Sequence, residues 1–286
     1  MINDYGMKRL ETYMDNLKFH TFTKTKITAQ LITYYGFVPE SILSVAPYID
    51  ELTVAYGRVQ LAPHIEDGSK QRLEDTLAKL PKHIKIHYKD QDLWDSKTDM
   101  RRWCTDKMSG NHLLLLDGDE IWTDMESVLN DTTGFPTPRW VNFWHDAKHW
   151  VYDARHGDSR WGVNDPDYIG SVCRHYRFSW WRPTYWFKNH PSPADAGGNR
   201  LFDYTRAIKN HGAGVIYHLG HMLPKKIMDA KYQLYTARDG GKAPARQAAW
   251  NVWNGETGNT KDGFVDTVNW KLPKIVQQAI KNMRGW

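Results

Sequence analysis

Disulfide chemistry is the first thing this sequence leaves out. Only Cys104 and Cys173 occur in 286 residues, far apart and outside any C-x-x-C spacing. Neither a disulfide framework nor a cysteine zinc site is indicated, and both read as ordinary buried thiols. Long hydrophobic runs are missing as well: no stretch of eighteen apolar residues is present, and residues 1–4 lack the charged-then-apolar pattern of a signal peptide. A soluble, cytoplasmic chain without a membrane span is the expectation. No Walker A lysine motif, no G-x-G-x-x-G and no G-x-S-x-G occurs. Nucleotide kinases, Rossmann dehydrogenases and serine hydrolases therefore lose their usual support. Neither an internal repeat nor a low-complexity linker interrupts the chain.

What is present is basic and aromatic. The formal charge is +5 with a pI near 9.0, which favours an anionic partner such as a nucleotide, a nucleic acid or an acidic surface. Aromatic residues make up 13% of the chain and include 14 tryptophans. Half of these, from Trp140 to Trp186, crowd into less than a fifth of the chain, where they can stack on sugars or bases or fill a core.

The hydrophobic pattern alternates between strand and helix. Residues 26–34 are β-branched and apolar enough for a buried strand, and Pro39 suits the first turn of a short helix over 40–46. A second strand is predicted over 51–56. Ser69 is placed to cap a helix carrying Leu73, Leu77 and Leu80 on one face, and residues 84–88 alternate as a third strand. Ser96 and Asp99 resemble a capping box ahead of a helix with Met100, Trp103, Cys104 and Met108 at helical spacing. Leu113 to Leu116 then read as a buried central strand. The alternation β-α-β-α-β-α-β implies an α/β fold with a mostly parallel sheet and helices on both faces. After an aromatic-rich stretch over 140–204, helices are expected at 223–235 and 272–283.

Asp117-Gly118-Asp119-Glu120 follows the most apolar strand, and open α/β sheets bind ligands at the carboxyl ends of their strands. In near-extended backbone Asp117 and Asp119 can face one ion, while Gly118 lets a ligand approach the backbone. Such oxygen ligands suit Mg²⁺ or Mn²⁺ carrying phosphate oxygens. An EF-hand is excluded because Ile121 and Trp122 stand where Asp or Asn and then Gly are required. His145-Asp146-Ala147-Lys148-His149 is only superficially like a zinc-protease H-E-x-x-H.

From about residue 26 to 235 the chain resembles GT-A glycosyltransferases of the family 2 type. The likeness rests on residues 44–54, on Arg101 and Arg102 preceding the strand that ends in Asp117-Gly118-Asp119-Glu120, and on Val215-Ile216-Tyr217-His218 followed by Lys231-Tyr232. The resemblance implies a GT-A (Rossmann-like) catalytic domain over 1–235, with a nucleotide half at about 24–122, an acceptor half at 123–235 and a C-terminal extension over 236–286. It implies a nucleotide-sugar donor, a UDP-sugar favoured, and Mn²⁺ or Mg²⁺ on Asp117, Asp119 and His218, with His221 a rival of His218. Tyr34, Tyr56, Arg101, Arg102, Asp117 and Gly118 are the implied donor contacts. Two positions depart from the pattern. Tyr56-Gly57-Arg58 stands where many members end the second strand in a base-contacting Asp, and Pro191-Ser192 follows His190 where many carry His-Glu.

An inverting transfer needs a general base at the acceptor hydroxyl. Asp195 and Asp203 are the nearest carboxylates after His190, and Asp195 is favoured by its Pro- and Gly-rich loop. Basic and aromatic residues interleaved up to Lys188 suit phosphates and stacked bases, with Trp144, Trp181, Lys188 and His190 as acceptor contacts. The favoured acceptor is a hydroxymethylated pyrimidine in DNA, as in the base-glucosylating transferases of some bacteriophages, which the chain resembles in size and basicity. A surface glycan or lipid-linked sugar is the alternative, and a non-catalytic sugar- or nucleic-acid-binding protein is a third reading.

Overall fold

Four strands lie side by side in the first sheet: β1 (Ile27–Thr33), β2 (Glu51–Val59), β3 (Lys85–Trp94) and β4 (His112–Asp117). Their order is β3-β2-β1-β4, and every pairing is parallel. The computed structural model describes residues 26–110, 112–129, 137–151, 211–238, 265–268 and 270–284.

Strand β1 is buried along almost its whole length, as a parallel strand covered on both faces must be. Leu31 joins the core that contains Leu73 and Leu80, from α2 (Ser69–Ala78) and the turn after it, and Ile42 from the short α1 (Glu40–Leu43). On the other face, the Gln30 amide donates to the Arg101 carbonyl and to Thr105 Oγ1 of α3 (Lys97–Lys107). Met100 and Cys104 pack there against Ala55 and Trp94. Helices cover both faces, so the α/β architecture with a parallel sheet is observed as expected. Burial pushes the Cys104 thiol up to about 12, in keeping with an inert core position.

Ser96 caps its helix as expected: Asp99 N–H donates to Ser96 Oγ, while the Asp99 carboxylate accepts from the Ser96 hydroxyl and not, as in a full capping box, from its backbone N–H. Ser69 does not cap its helix. Gly68 takes the cap position in a left-handed conformation, and the Asp67 carboxylate accepts the Ser69 N–H. The Ser69 hydroxyl is thereby turned to accept from Phe37 N–H. The predicted helix at 40–46 is shorter, because Pro47 falls inside a 3₁₀ turn, Ala46–Tyr48. The third strand runs on to Trp94.

The second sheet was less legible. It comprises β5 (Glu120–Thr123), β6 (Thr137–Trp144), β7 (Asp146–Val151), β8 (His211–His218) and β9 (Val265–Thr267), in the order β5-β8-β6-β7-β9. After β5 comes α4 (Met125–Leu129). Helices α5 (Lys225–Arg238) and α6 (Lys274–Met283) cover this sheet. Val276, Ala279, Ile280 and Met283 form the buried stripe of α6, in one core with Leu223, Ile227 and Met228. The His145-to-His149 motif is a hairpin, not a helix. The Asp146 carboxylate accepts the N–H groups of Lys148 and His149, so the facing histidine pair of a zinc-protease helix is absent. Among the described residues, no helix is long and apolar enough to cross a membrane.

Candidate functional site

The chain steps from β1 to β2 to β3 in one direction and then returns to the other side of β1 for β4. Ligands of open α/β sheets bind where the strand order reverses, at the carboxyl ends, which here is the gap between β1 and β4. Asp117 ends β4 opposite Ile32, so the acidic turn opens at that gap. Gly118 lies against the end of β1: its carbonyl accepts from Val38 N–H at 2.7 Å, and a Cβ on it would meet Thr33 Oγ1 at 2.6 Å. Only glycine fits there.

Beyond the turn, β5 pairs antiparallel with β8 and places Glu120 opposite His218. Leu219 N–H donates to the Asp119 carbonyl at 2.8 Å, locking the turn to the loop after β8. Ligand atoms of Asp119, Glu120 and His218 all fall within 4.8 Å of one another. Gly220 closes over them: a Cβ there would stand 2.5 Å from His218 Nε2 and 2.6 Å from Asp119 Oδ2.

The two aspartates have different surroundings. Asp117 Oδ1 receives the Arg101 guanidinium at 3.0 Å, and its side chain is 24% exposed. Arg101 is buried and also donates to the carbonyls of Gln30 and Leu116, so it fixes the end of β4 as well as the charge. Asp119, 13% exposed, has Lys231 Nζ at 2.6 Å from Oδ2 and His218 Nε2 at 3.6 Å from Oδ1. Burial alone would raise its pKa, but Lys231 and then His218 beside it override that and hold the carboxyl well below the ordinary range. His221 packs against Trp144 at 5.1 Å and His218 at 5.5 Å. Burial, then His218 and Lys231, push its imidazole down to about 3, so it is neutral at physiological pH.

The sequence grouped Asp117 with Asp119 because period-two backbone would aim both one way. The structure instead makes Gly118-Asp119 a turn between two strands, so Asp119 gathers with Glu120 and His218 while Asp117 is held on Arg101. Of the two rival histidines, His218 is the one that shares space with the carboxylates. Tyr34 lies at the end of β1, accepts from Ile65 N–H and packs on Tyr56 at 5.9 Å. Tyr56 is buried in the first core. Arg102 is half exposed, with its guanidinium on Asp99 at 2.7 Å. Trp144 lies beside His221. Asp195, Trp181, Lys188 and His190 fall outside the described residues.

Glu120 and Lys231 were not singled out as site residues. Lys231 carried a signal: it stands four residues after Ile227 and three before Leu234, both buried, and so lies on the inward stripe of α5. A lysine on such a stripe requires a buried counter-charge.

Neither a protein-family model nor a curated protein matches the chain. Solved structures to which it is similar include the mannosyltransferase PcManGT from Pyrobaculum calidifontis in complex with GDP-Man and Mn²⁺, at 12% identity and a TM-score of 0.31, over 48% of this chain and 43% of that one. S. aureus TarS 1-349 is similar at 13% identity and a TM-score of 0.37, over 73% of this chain and 64% of that one. Its complex with UDP-GlcNAc gives 12% and 0.34, over 68% and 55%. The chain thus spans less than two-thirds of the length of each. Likeness this slight carries no argument, and the functional reading rests on the side chains.

Proposed function

We propose that the protein is a metal-dependent GT-A glycosyltransferase that moves a sugar from a nucleotide-sugar, a UDP-sugar by preference, to an acceptor hydroxyl with inversion. The observation that carries this reading is the meeting of Asp119, Glu120 and His218 at the strand-order reversal of a parallel sheet. Two carboxylates and an imidazole make a mixed oxygen and nitrogen donor set. This suits Mn²⁺ better than Mg²⁺, which favours oxygen and water. A divalent ion held there supplies Lewis-acid neutralisation of the departing diphosphate.

The chain's own residues supply the rest. Asp117, fixed by Arg101, offers carboxylate oxygens to hydroxyls of the donor, and Gly118 brings backbone close to it. Tyr34 follows the end of β1 and Tyr56 lies opposite Thr33 in β2, toward the end of the sheet where the base of the donor would lie, and Arg101 and Arg102 add positive charge from α3 on the sheet's other face. In the transfer the acceptor oxygen bonds the anomeric carbon as the bond from that carbon to the diphosphate oxygen breaks. The bonding pair leaves with the diphosphate, and the acceptor proton passes to a carboxylate base, for which Asp195 is the proposed residue.

The proposed acceptor is a hydroxymethylated pyrimidine in DNA, supported by the basic and aromatic composition up to Lys188, with Trp144, Trp181, Lys188 and His190 as contacts. The test is nucleoside-diphosphate release with Mn²⁺, a panel of UDP- and GDP-sugars, and plain DNA, hydroxymethylated DNA or glycans as acceptors. Salt-sensitive release on hydroxymethylated DNA is expected. Release on glycans alone replaces the acceptor, and no release with any donor removes the transferase.

A further inference from the structure

Lys231 occupies one of the two oxygens that a cation on Asp119 would use. Its Nζ lies 2.6 Å from Asp119 Oδ2 and 3.5 Å from the Gly220 carbonyl, with only 16% of the side chain exposed. The other oxygen, Oδ1, faces His218 Nε2. An ammonium and a divalent ion sharing one carboxylate in a largely dry site repel each other strongly, because low polarisability strengthens like-charge repulsion as much as attraction.

We infer that Lys231 is an internal competitor for the cation, so that the metal and the donor's diphosphate bind together and each is weak without the other. This rests on the metal-site reading of Asp119, Glu120 and His218. A diphosphate brings the negative charge that separates the two cations. The ammonium, with three donors on a flexible stem, can then leave Asp119 Oδ2 for a phosphate oxygen. Linkage makes the effect reciprocal: whatever factor the nucleotide adds to metal affinity, the metal adds to nucleotide affinity. Lys231 is a positioning residue in this account, holding the Asp119 carboxylate in place until the donor arrives.

If Lys231 were only the counter-ion of a buried aspartate, removing it would weaken folding and leave metal affinity no better. The two accounts therefore differ in the sign of one measurement. Mn²⁺ binding to the full chain is read from the electron paramagnetic resonance signal of free Mn²⁺, with and without UDP. Asp119→Asn plus UDP serves as the baseline for Mn²⁺ held by the nucleotide alone. In the unaltered protein UDP is expected to tighten Mn²⁺ binding by about tenfold or more. Lys231→Gln and Lys231→Met are expected to bind Mn²⁺ without UDP about tenfold tighter than the unaltered protein, and to lose most of the UDP effect. A fold defect cannot produce tighter binding. Equal Mn²⁺ affinity in all three proteins overturns the role of Lys231 and leaves the metal site standing. Should both variants fail to fold, the absence of any UDP effect in the unaltered protein overturns it alone. No Mn²⁺ binding above the baseline in any of them removes the metal site and this inference with it.

Discussion

The two ends of the parallel sheet treat a buried carboxylate in opposite ways. At the amino ends of the strands, Glu51 is fully buried and is met mostly by neutral donors of the same half: Thr28 Oγ1 and Ser109 N–H at 2.6 Å, Ser109 Oγ at 2.9 Å and Gly110 N–H at 3.2 Å. His87 and Lys85 lie at 3.2 and 3.5 Å. Burial alone would raise its pKa, yet these donors, the Ser109 N–H foremost, hold it down at about 2. At the carboxyl ends, Asp119 is met by side chains from the other half, Lys231 and His218, and keeps some exposure. Fixed backbone and hydroxyl donors make a closed structural site. A long-stemmed ammonium and an imidazole make one whose partners can be exchanged for a ligand.

Breaking the open end should cost the most function. Asp119→Asn is expected to lower turnover about 10³-fold, the equivalent of several kcal/mol of lost charge stabilisation, with rates normalised to the folded fraction. Turnover within tenfold of the original would erase the distinction between the two ends. At the closed end, Glu51→Gln turns an amide toward N–H donors and should cost about 3 kcal/mol in urea unfolding while leaving turnover per folded molecule unchanged.

Acid separates the ends further. A carboxyl at about 2 in the folded chain against 4.5 in the open chain is linked to about 3 kcal/mol. Because the folded value is the lower one, that stability is fully present above pH 4.5 and is lost as the pH falls toward 2. Asp119, also held low, acts in the same direction. Unfolding curves measured from pH 6 to pH 3 should show the loss, and Glu51→Gln should flatten it. The smallest contrast lies between adjacent arginines. Arg101→Met should cost about 2 kcal/mol by stranding Asp117 and two carbonyls, whereas Arg102→Ala, with its half-exposed pair to Asp99, should shift stability by under about 0.5 kcal/mol. Similar losses in both would mean that burial does not divide them.

The first half was readable because its signals are local. An apolar run between turn residues, a serine three residues before an aspartate and an acidic turn after four leucines each lie within a dozen residues, and the strands and α3 fell where those signals put them, give or take their ends. Ser69 misled because a better acceptor, Asp67, stands two residues earlier. Strand β5 was invisible. Four residues show no usable period, and their partner strand β8 begins some ninety residues later.

The sequence by itself determined that the chain folds around a parallel sheet and that an acidic turn ends the strand over 113–116, since both follow from short-range periodicity and turn chemistry. That this strand lies at the edge of the described sheet and not at its centre was not legible. Which carboxylate gathers with which partner was decided only by tertiary structure. The β5–β8 register sets Glu120 against His218, and the packing of α5 brings Lys231 to Asp119 across more than a hundred residues of chain. Pairing over such separations depends on how whole elements dock, and no local pattern encodes the distance between two side chains that meet only when the fold is complete.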